Sequence, residues 1–508
     1  MVISARSLPA SLALSAHKRN PHLIPLFSLL LIAAVSLLLR LETFPSIWFD
    51  EGYKLNAAYT MVITGQYATY TVDGFIPFDP GTSGGPADIL PTALAIKVLG
   101  VGVTAARLVS VVYTLAACAA VYALALRLWD MPTAFVSVVV LLVFPAQGNM
   151  SFILMGRQTL SEAAAFSLMV IGLLLVFWGW ERQAWSQAGL GGVVIGLGML
   201  SKTQFAISLL PALFMVGVVM VWKRQGWRLY LAPLVSIMAV MGGWMLLGNI
   251  LTPAAIRAQN SALLMDAIRS NLLTPLMGSN LGSTGYLLIG IMTLAVITTG
   301  WRLFLAYRRV GVSAVWAAEA VLTVFVCFTL VWYALLSVGW PRYAFAGVMV
   351  ALILLGRWLW LVVGERLQPV SRNISFTALA LAALVVNLSL IFSATPAYDA
   401  QHTAAYIAEY IDAEAVIETW EWELDMLSKH IHFHHPEQAL LFEAIRQASR
   451  GEGFALAYDV LKAEPDYLIE GPFSRWTGIY PQADIEAYFV EESRFGSYTI
   501  WKRAGAAG

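Results

Sequence analysis

The stretch "SIWFDEGYKLNAAYTMVITGQY", residues 46–67, follows the first long apolar run of the chain and sets Asp50 and Glu51 beside Trp48 and Phe49. Charged residues make up 12% of the sequence and hydrophobic residues 59%, above the roughly 45–50% of soluble domains. This composition is typical of a polytopic membrane protein. Two adjacent carboxylates at the end of a membrane span are therefore a candidate functional site.

Working outward from this stretch, eleven apolar runs predict an α-helical polytopic fold, because a bilayer core needs about 20 apolar residues per helix. The predicted spans are 23–42, 104–126, 132–148, 163–180, 187–201, 204–222, 229–249, 284–305, 314–337, 343–363 and 374–394. Basic residues collect in the connections on one side of this arrangement, which predicts that this side is cytoplasmic. The loop 43–103 then faces outward, and its segment after Lys54 is expected to be a helix lying in the membrane interface.

The chain divides into two predicted domains: a membrane domain, 1–395, and an extracytoplasmic soluble domain, 396–508, which is richer in charge. Helical spacing at 401–411 and 438–445 alternates with strand patterns at 415–420 and 466–471, and 486–501 is typical of a terminal hairpin. This alternation predicts a small α/β layer domain. We expect it to do no chemistry itself, to pack over the outer mouth of the membrane domain and to help position an acceptor.

Several classes of protein and site are disfavoured. The net charge is zero, so there is no electrostatic case for a nucleic-acid partner. Cys118 and Cys327 lie in apolar runs and imply no disulfide framework. His430, His432 and His434 alternate as strand ligands of a metal would, but a solvated surface is the favoured interpretation, so no metal site is predicted. A divalent metal cofactor is left open.

Further ionisable residues recur at span ends on the outer side. With the first pair, the candidate site residues are Asp50, Glu51, Arg157, Glu162, Lys202, Gln204, Arg342 and Tyr343. Each has a structural alternative, since acidic residues cap helices and long cations extend from a span end to water. Together they bring carboxylates and cations to one membrane face, which suits an anionic, lipid-linked ligand.

Short blocks of the sequence resemble a known family. The blocks are "SGGPADILPTALAIKVLG", "GRQTLSE", "GLGMLSKTQF" and "PRYAF", with "ETWEWELDMLS", "PDYLIEGPFSRW" and "FGSYTIWKR" in the soluble domain. With the Asp–Glu pair after the first span, they are similar to the C-type membrane glycosyltransferases, in a bacterial or archaeal branch of the protein O-mannosyltransferase and aminoarabinose transferase superfamily.

The resemblance implies an inverting enzyme that moves a sugar from a polyprenyl-phosphate carrier to an acceptor on the outer face. It implies Asp50 as the general base and Glu51 as an orienting or acceptor-binding neighbour. We expect Arg157, Lys202 and Arg342 to form a carrier-phosphate pocket. In that pocket Glu162 would orient Arg157, and Tyr343 would form a wall. Better-known relatives have a Lys/Gln-Pro-Pro block where this chain has "SGGP", so a cation used there is missing.

The implied partners are the polyprenyl-phosphate sugar, membrane lipid and a lipid, glycan or protein acceptor, in a multi-pass protein of the plasma membrane. The identities of the sugar and the acceptor stay open. The alternative function is a polytopic transporter or flippase of a lipid-linked or anionic substrate. Transporters usually bind at the bilayer midplane between internal repeats. Here the charges collect at one surface and no convincing repeat is visible, which favours the transferase.

Overall fold

The computed structural model describes residues 22–82, 84–144, 150–272, 281–366 and 368–505. Two regions follow each other along the chain, a bundle of long apolar helices and a smaller domain built on a β-sheet. A loop region between the first and second long helices joins them in space, because its helices pack against both.

The membrane region contains helices α1 to α15 and one hairpin. In chain order these are α1 (Leu23–Leu38), α2 (Phe49–Thr64), β1 (Ala68–Thr71), β2 (Gly74–Pro77), α3 (Pro86–Leu99), α4 (Val103–Leu128), α5 (Met131–Val143), α6 (Phe152–Gly156), α7 (Ser161–Arg182), α8 (Trp185–Ser201), α9 (Gln204–Trp222), α10 (Trp227–Leu251), α11 (Ala254–Ala267), α12 (Gly282–Val310), α13 (Ala314–Leu335), α14 (Phe345–Val362) and α15 (Pro369–Ser393).

Each predicted span coincides with one of these helices. Within the described ranges, eight are long and apolar enough to cross a membrane: α4, α7, α9, α10, α12, α13, α14 with the short turn before it, and α15. The other three, α1, α5 and α8, have 16, 13 and 17 residues. Residues 145–149 of the third predicted span lie outside the described residues. The chain is a multi-pass membrane protein, and the number of crossings stays a prediction.

Glycines let α7 and α8 pack with their backbones close together. A Cβ atom at Gly172 would lie 2.7 Å from the carbonyl oxygen of Gly191, and one at Gly191 would lie 2.6 Å from that of Gly172. Small residues are the usual means by which membrane helices approach this closely. The two helices follow each other through a short turn, so the start of α7 and the end of α8 lie side by side.

The smaller region is the predicted α/β layer domain. In chain order its elements are α16 (Asp399–Tyr410), β3 (Ile417–Thr419), α17 (Glu423–Ser428), β4 (Phe433–His434), α18 (Gln438–Ser449), β5 (Tyr467–Glu470), α19 (Pro472–Thr477), α20 (Gln482–Tyr488), β6 (Phe489–Phe495) and β7 (Tyr498–Arg503). The sheet order is β4-β3-β5-β7-β6, with β3 parallel to β4 and β5, and β7 antiparallel to β5 and β6. The terminal hairpin is present, and the 395/396 boundary falls between α15 and α16.

Helix α2 lies between the two regions. It was predicted to lie in the membrane interface, but it is buried on most sides. Its side chains Leu55 and Ala58 belong to one apolar cluster with Ile417 and Leu424 of the smaller domain. A Cβ atom at Gly52 would lie 2.0 Å from the backbone nitrogen of Glu423. The absence of a side chain at position 52 therefore lets the smaller domain sit directly on the start of α2, where Asp50 and Glu51 lie.

Candidate functional site

A cavity of about 550 Å³ opens where the ends of the membrane helices, the start of α2 and the smaller domain meet. This volume is in the range of ligand pockets. One side, here named the membrane wall, includes Trp48, Asp50, Lys54, Glu162, Lys202, Gln204, Arg342 and Tyr343. The other side, here named the domain wall, includes Asp399, Gln401, Glu421, Glu423, Phe473, Trp476 and Tyr498. Six of the eight residues predicted from the sequence therefore line one cavity.

Asp50 lies in the first turn of α2 with 22% of its side chain exposed, and its carboxylate forms an ion pair with Arg342. The Arg342 guanidinium is surrounded by aromatic rings, at 5.6 Å from the centroid of Trp48, 5.5 Å from Trp340 and 5.6 Å from Tyr343. Aromatic faces attract cations at these distances. The guanidinium is thus held in place beside a carboxylate that lines the cavity.

Glu51 points away from the cavity, although it follows Asp50 directly. It is fully buried and forms two hydrogen bonds with Arg107, at 3.0 Å to Nε and 2.6 Å to an Nη. The backbone N–H of Thr159 donates to the same carboxylate at 2.7 Å. Consecutive helix residues point about 100° apart, which separates the two acids. This placement suits the orienting role expected of Glu51 and speaks against acceptor binding.

Arg157 lies outside the cavity, contrary to its expected place in a phosphate pocket. It is fully buried, and its guanidinium donates to the carbonyl oxygens of Ser36, Leu37, Leu39 and Phe44, at 2.6 to 3.1 Å. The last carbonyl groups of a helix have no partner inside the helix, and a nearby arginine can satisfy them. Arg157 therefore holds the end of α1, and we leave it out of the proposed phosphate site.

Glu162 pairs with Lys202 rather than with Arg157, at 2.8 Å. The close packing of α7 and α8 brings these two residues together. Beside them Lys54 donates to the hydroxyl of Ser161 at 2.7 Å, and that hydroxyl donates to Asp88 at 2.6 Å. Burial lowers the pKa of Lys54, while the carboxylates of Asp88 and Glu162 oppose that shift. The cations and carboxylates at this end of the cavity thus form one connected group.

Lys54 is not among the candidate site residues predicted from the sequence, although its spacing from Asp50 could have indicated it. It lies four residues after Asp50 on one helix, a spacing that places side chains on the same face. Gln204 begins α9 and lines the cavity, and the ring of Tyr343 lies 5.8 Å from the Lys202 ammonium. Both therefore line the same cavity as the cations, and their roles in substrate binding stay a prediction.

The domain wall carries acidic side chains that the sequence did not single out. Glu421 accepts from the backbone N–H groups of Ser474, at 2.8 Å, and Phe473, at 3.2 Å, at the start of α19. Glu423 accepts from the hydroxyl of Tyr498 at 2.7 Å. Burial raises the pKa of both glutamates, and the charge of Glu421 raises that of Glu423 further. The smaller domain thus contributes polar groups to the cavity as well as covering it.

The histidine run is only partly on the surface, so the solvated-surface interpretation is wrong for its buried members. His434 and His435 are 3% and 4% exposed, because β4 pairs with the interior strand β3. His434 hydrogen-bonds with Glu418 at 2.5 Å; burial lowers the pKa of His434, but this bond together with the charges of Glu418 and Asp73 outweighs burial, and the net shift is upward. Within the described ranges, no group of three His, Cys, Asp or Glu side chains is placed to hold a metal ion.

Comparisons with known proteins agree with this architecture. The sequence model of the dolichyl-phosphate-mannose-protein mannosyltransferase family matches residues 89–250. Two structures of ArnT from Cupriavidus metallidurans are similar, one apo (TM-score 0.64, 15% identity, 94% of this chain and 97% of that chain) and one bound to undecaprenyl phosphate (0.60, 14%, 96% and 98%). The chain has the C-type glycosyltransferase fold. A comparison with curated protein sequences found no match.

The same fold is found in the Archaeoglobus fulgidus oligosaccharyltransferase tethered with an acceptor peptide (TM-score 0.56, 14% identity, 93% of this chain and 72% of that chain).

Within the C-type fold, the "SGGP" departure now has a position. Gly85 packs against the end of α8, where a Cβ atom would lie 2.5 Å from the carbonyl oxygen of Leu200; Ser83 lies outside the described residues. A larger residue does not fit at position 85. Lys54 is a further cation on the membrane wall.

Proposed function

We propose that the chain is an inverting glycosyltransferase that moves a sugar from a polyprenyl-phosphate carrier to an acceptor at the outer face of the membrane. The observation that carries this proposal is the membrane wall, where Asp50 lies beside Lys54, Lys202 and Arg342 at the mouth of a cavity. The family match and the ArnT structure bound to undecaprenyl phosphate support a lipid-phosphate donor.

The reaction needs a base beside the acceptor hydroxyl and an anion site beside the departing phosphate. The acceptor hydroxyl oxygen forms a bond to the anomeric carbon, the bond from that carbon to the phosphate oxygen breaks, and the polyprenyl phosphate leaves with the electron pair. Asp50 takes the hydroxyl proton, as a correctly placed carboxylate can. Arg342, Lys202 and Lys54 stabilise the charge that develops on the phosphate. A single displacement of this kind inverts the anomeric configuration.

Arg342 links the base to the phosphate site, because it pairs with Asp50 and also lines the cavity. The phosphodiester of a bound donor offers the guanidinium a second anionic partner, which gains a further negative charge as the sugar leaves, and planar guanidinium groups recognise phosphate well. The carboxylate would be released as the donor binds. The base would thus become available when the substrate is in place.

The transporter alternative fits the position of the charges less well. The charged side chains lie at the ends of α7, α8 and α14, under a soluble domain, whereas transporter sites usually lie near the midplane. Basic residues collect in the connections on the other side of the membrane, which supports an outer, extracytoplasmic site in a plasma membrane.

The test is to incubate the purified chain with radiolabelled polyprenyl-phosphate hexoses and pentoses and with membrane extract as a source of acceptors. We expect one donor to be consumed and the product to carry the opposite anomeric configuration, determined by specific glycosidase digestion or NMR. Retention of configuration, or consumption of none of the donors, would contradict the proposal. Transport of intact donor into sealed vesicles, without transfer, would favour the alternative.

A further inference from the structure

Glu423 has an oxygen that the protein does not use. The side chain is 1% exposed and lines the cavity, and one carboxyl oxygen accepts from Tyr498. The other oxygen has no hydrogen-bond partner in the described part of the chain. Buried polar atoms are nearly always paired, and an exception at a cavity points to a group that is supplied by a ligand. The amide nitrogen of Gln401, which lines the same cavity, also has no hydrogen-bond partner among the described residues.

Aromatic rings stand beside these polar atoms. Phe473 stacks on Phe49 with centroids 3.7 Å apart, and Trp476 lies 5.7 Å from Phe473 with half of its surface exposed. Ring faces carry partial negative charge and attract the slightly positive C–H groups of a sugar ring. Phe49 directly precedes Asp50, so a ligand held by these rings would lie next to the expected base.

The domain wall also differs from the membrane wall in its lack of cations. Among the described residues that line it, Asp399, Glu421 and Glu423 are acidic and none is Lys or Arg. An anionic acceptor would therefore find no cation to pair with among these residues. A neutral ligand with many hydroxyl groups fits better, because a hydroxyl can donate to a carboxylate and accept from an amide.

We propose that the domain wall is an acceptor subsite for a neutral saccharide, in which the free oxygen of Glu423 and the amide of Gln401 bind hydroxyl groups while Trp476 and Phe473 hold a sugar ring. The proposal rests on the glycosyltransferase function proposed above and names its acceptor class. Glu423 takes no proton in the reaction; it binds hydroxyls other than the reacting one and determines specificity.

The test measures binding of defined probes to the purified full-length chain, by saturation-transfer NMR and by titration of tryptophan fluorescence. The probes are neutral tetrasaccharides of mannose, glucose and galactose, and Ser/Thr-containing peptides of similar mass with net charges of −2, 0 and +2. The variants are Trp476→Ala and Glu423→Gln. Matched controls from the same domain are Tyr410→Ala, an aromatic residue 61% exposed outside the cavity, and Glu470→Gln, a carboxylate paired with Arg475.

We expect at least one tetrasaccharide to bind and its affinity to fall about 10-fold in Trp476→Ala and severalfold in Glu423→Gln, with both controls and the binding of undecaprenyl phosphate unchanged. Saccharide binding that is equal in all variants would overturn the inference, as would binding of a peptide alone that the two variants weaken. Trp476 is half exposed, so its variant remains informative if Glu423→Gln folds poorly. Binding needs no turnover, so this test is separate from the test of the transferase proposal. If the donor is consumed while the variants bind saccharide as the unaltered chain does, only the acceptor class proposed here is wrong.

Discussion

The two walls of the cavity use ionisable residues in different ways. On the membrane wall each carboxylate is paired with a cation, Asp50 with Arg342 and Glu162 with Lys202. On the domain wall Glu421 binds backbone N–H groups and Glu423 keeps one oxygen unused. Cations fixed by carboxylates suit an anion such as the donor phosphate, whereas unpaired polar atoms beside aromatic rings suit hydroxyl groups. This difference supports the proposals that the donor phosphate binds at the membrane wall and the acceptor at the domain wall.

The largest effect on folding is expected from breaking the support beneath the membrane wall. Arg107→Ala leaves the buried Glu51 carboxylate without its partner, and breaking such a pair costs about 3–5 kcal/mol. Chemical unfolding in detergent measures this loss in the free energy of unfolding. The matched control on the same helix is Arg127→Ala, which removes a partly exposed ion pair with Glu181 and should cost about 0–1 kcal/mol. Equal effects of the two changes would show that Glu51 does not anchor α2.

The next effect concerns donor affinity and sharpens the contrast between the walls. Lys202→Ala and Arg342→Ala each remove a charged hydrogen-bond donor, worth about 1.5–3 kcal/mol, so binding of radiolabelled undecaprenyl phosphate should weaken about 10- to 100-fold. Glu423→Gln, on the opposite wall, should leave this affinity unchanged. Unaltered binding in both cation variants would remove the phosphate site from the membrane wall.

The smallest effect is a pH dependence on the domain wall. The pKa of Glu423 is raised well above its ordinary value of 4.5 by burial and by Glu421, so the folded state keeps a proton that the unfolded chain releases above that value. The free energy of unfolding therefore falls as pH rises from about 4.5 toward the folded pKa. Glu423→Gln cannot titrate, so its melting temperature relative to the unaltered chain should rise between pH 5 and pH 8. A difference in melting temperature that stays constant over this pH range would contradict the raised pKa of Glu423.

The membrane region could be predicted well from the sequence because long apolar runs have few structural alternatives. Each predicted span is a helix, and Asp50, Glu162, Lys202 and Arg342 stood out since few ionisable residues occur in or beside the apolar runs, where they often mark a functional site. Arg157 stood out for the same reason, yet its partners are carbonyl groups of α1 about 120 residues earlier. A one-dimensional pattern cannot distinguish an arginine that binds a ligand from one that ends a distant helix.

The domain wall could not be predicted from the sequence for the opposite reason. Glu421 and Glu423 lie in the block "ETWEWELDMLS", but glutamates are common in soluble domains, so nothing marked these two as site residues. They become distinctive only through burial, which depends on how the domain packs on α2 at Gly52. His434 was placed on the surface by the same reasoning, and the pairing of β4 with β3 buries it.

The most direct test of the account is the split between turnover and donor binding in Asp50→Asn, with Asp412→Asn as a control at an exposed position. Asparagine keeps the size of the side chain but accepts no proton, so kcat should fall about 100- to 10,000-fold, while the Kd for undecaprenyl phosphate stays within about threefold because Lys54, Lys202 and Arg342 remain. The control should match the unaltered chain in both. An Asp50→Asn variant that keeps most of its turnover would contradict the assignment of Asp50 as the base.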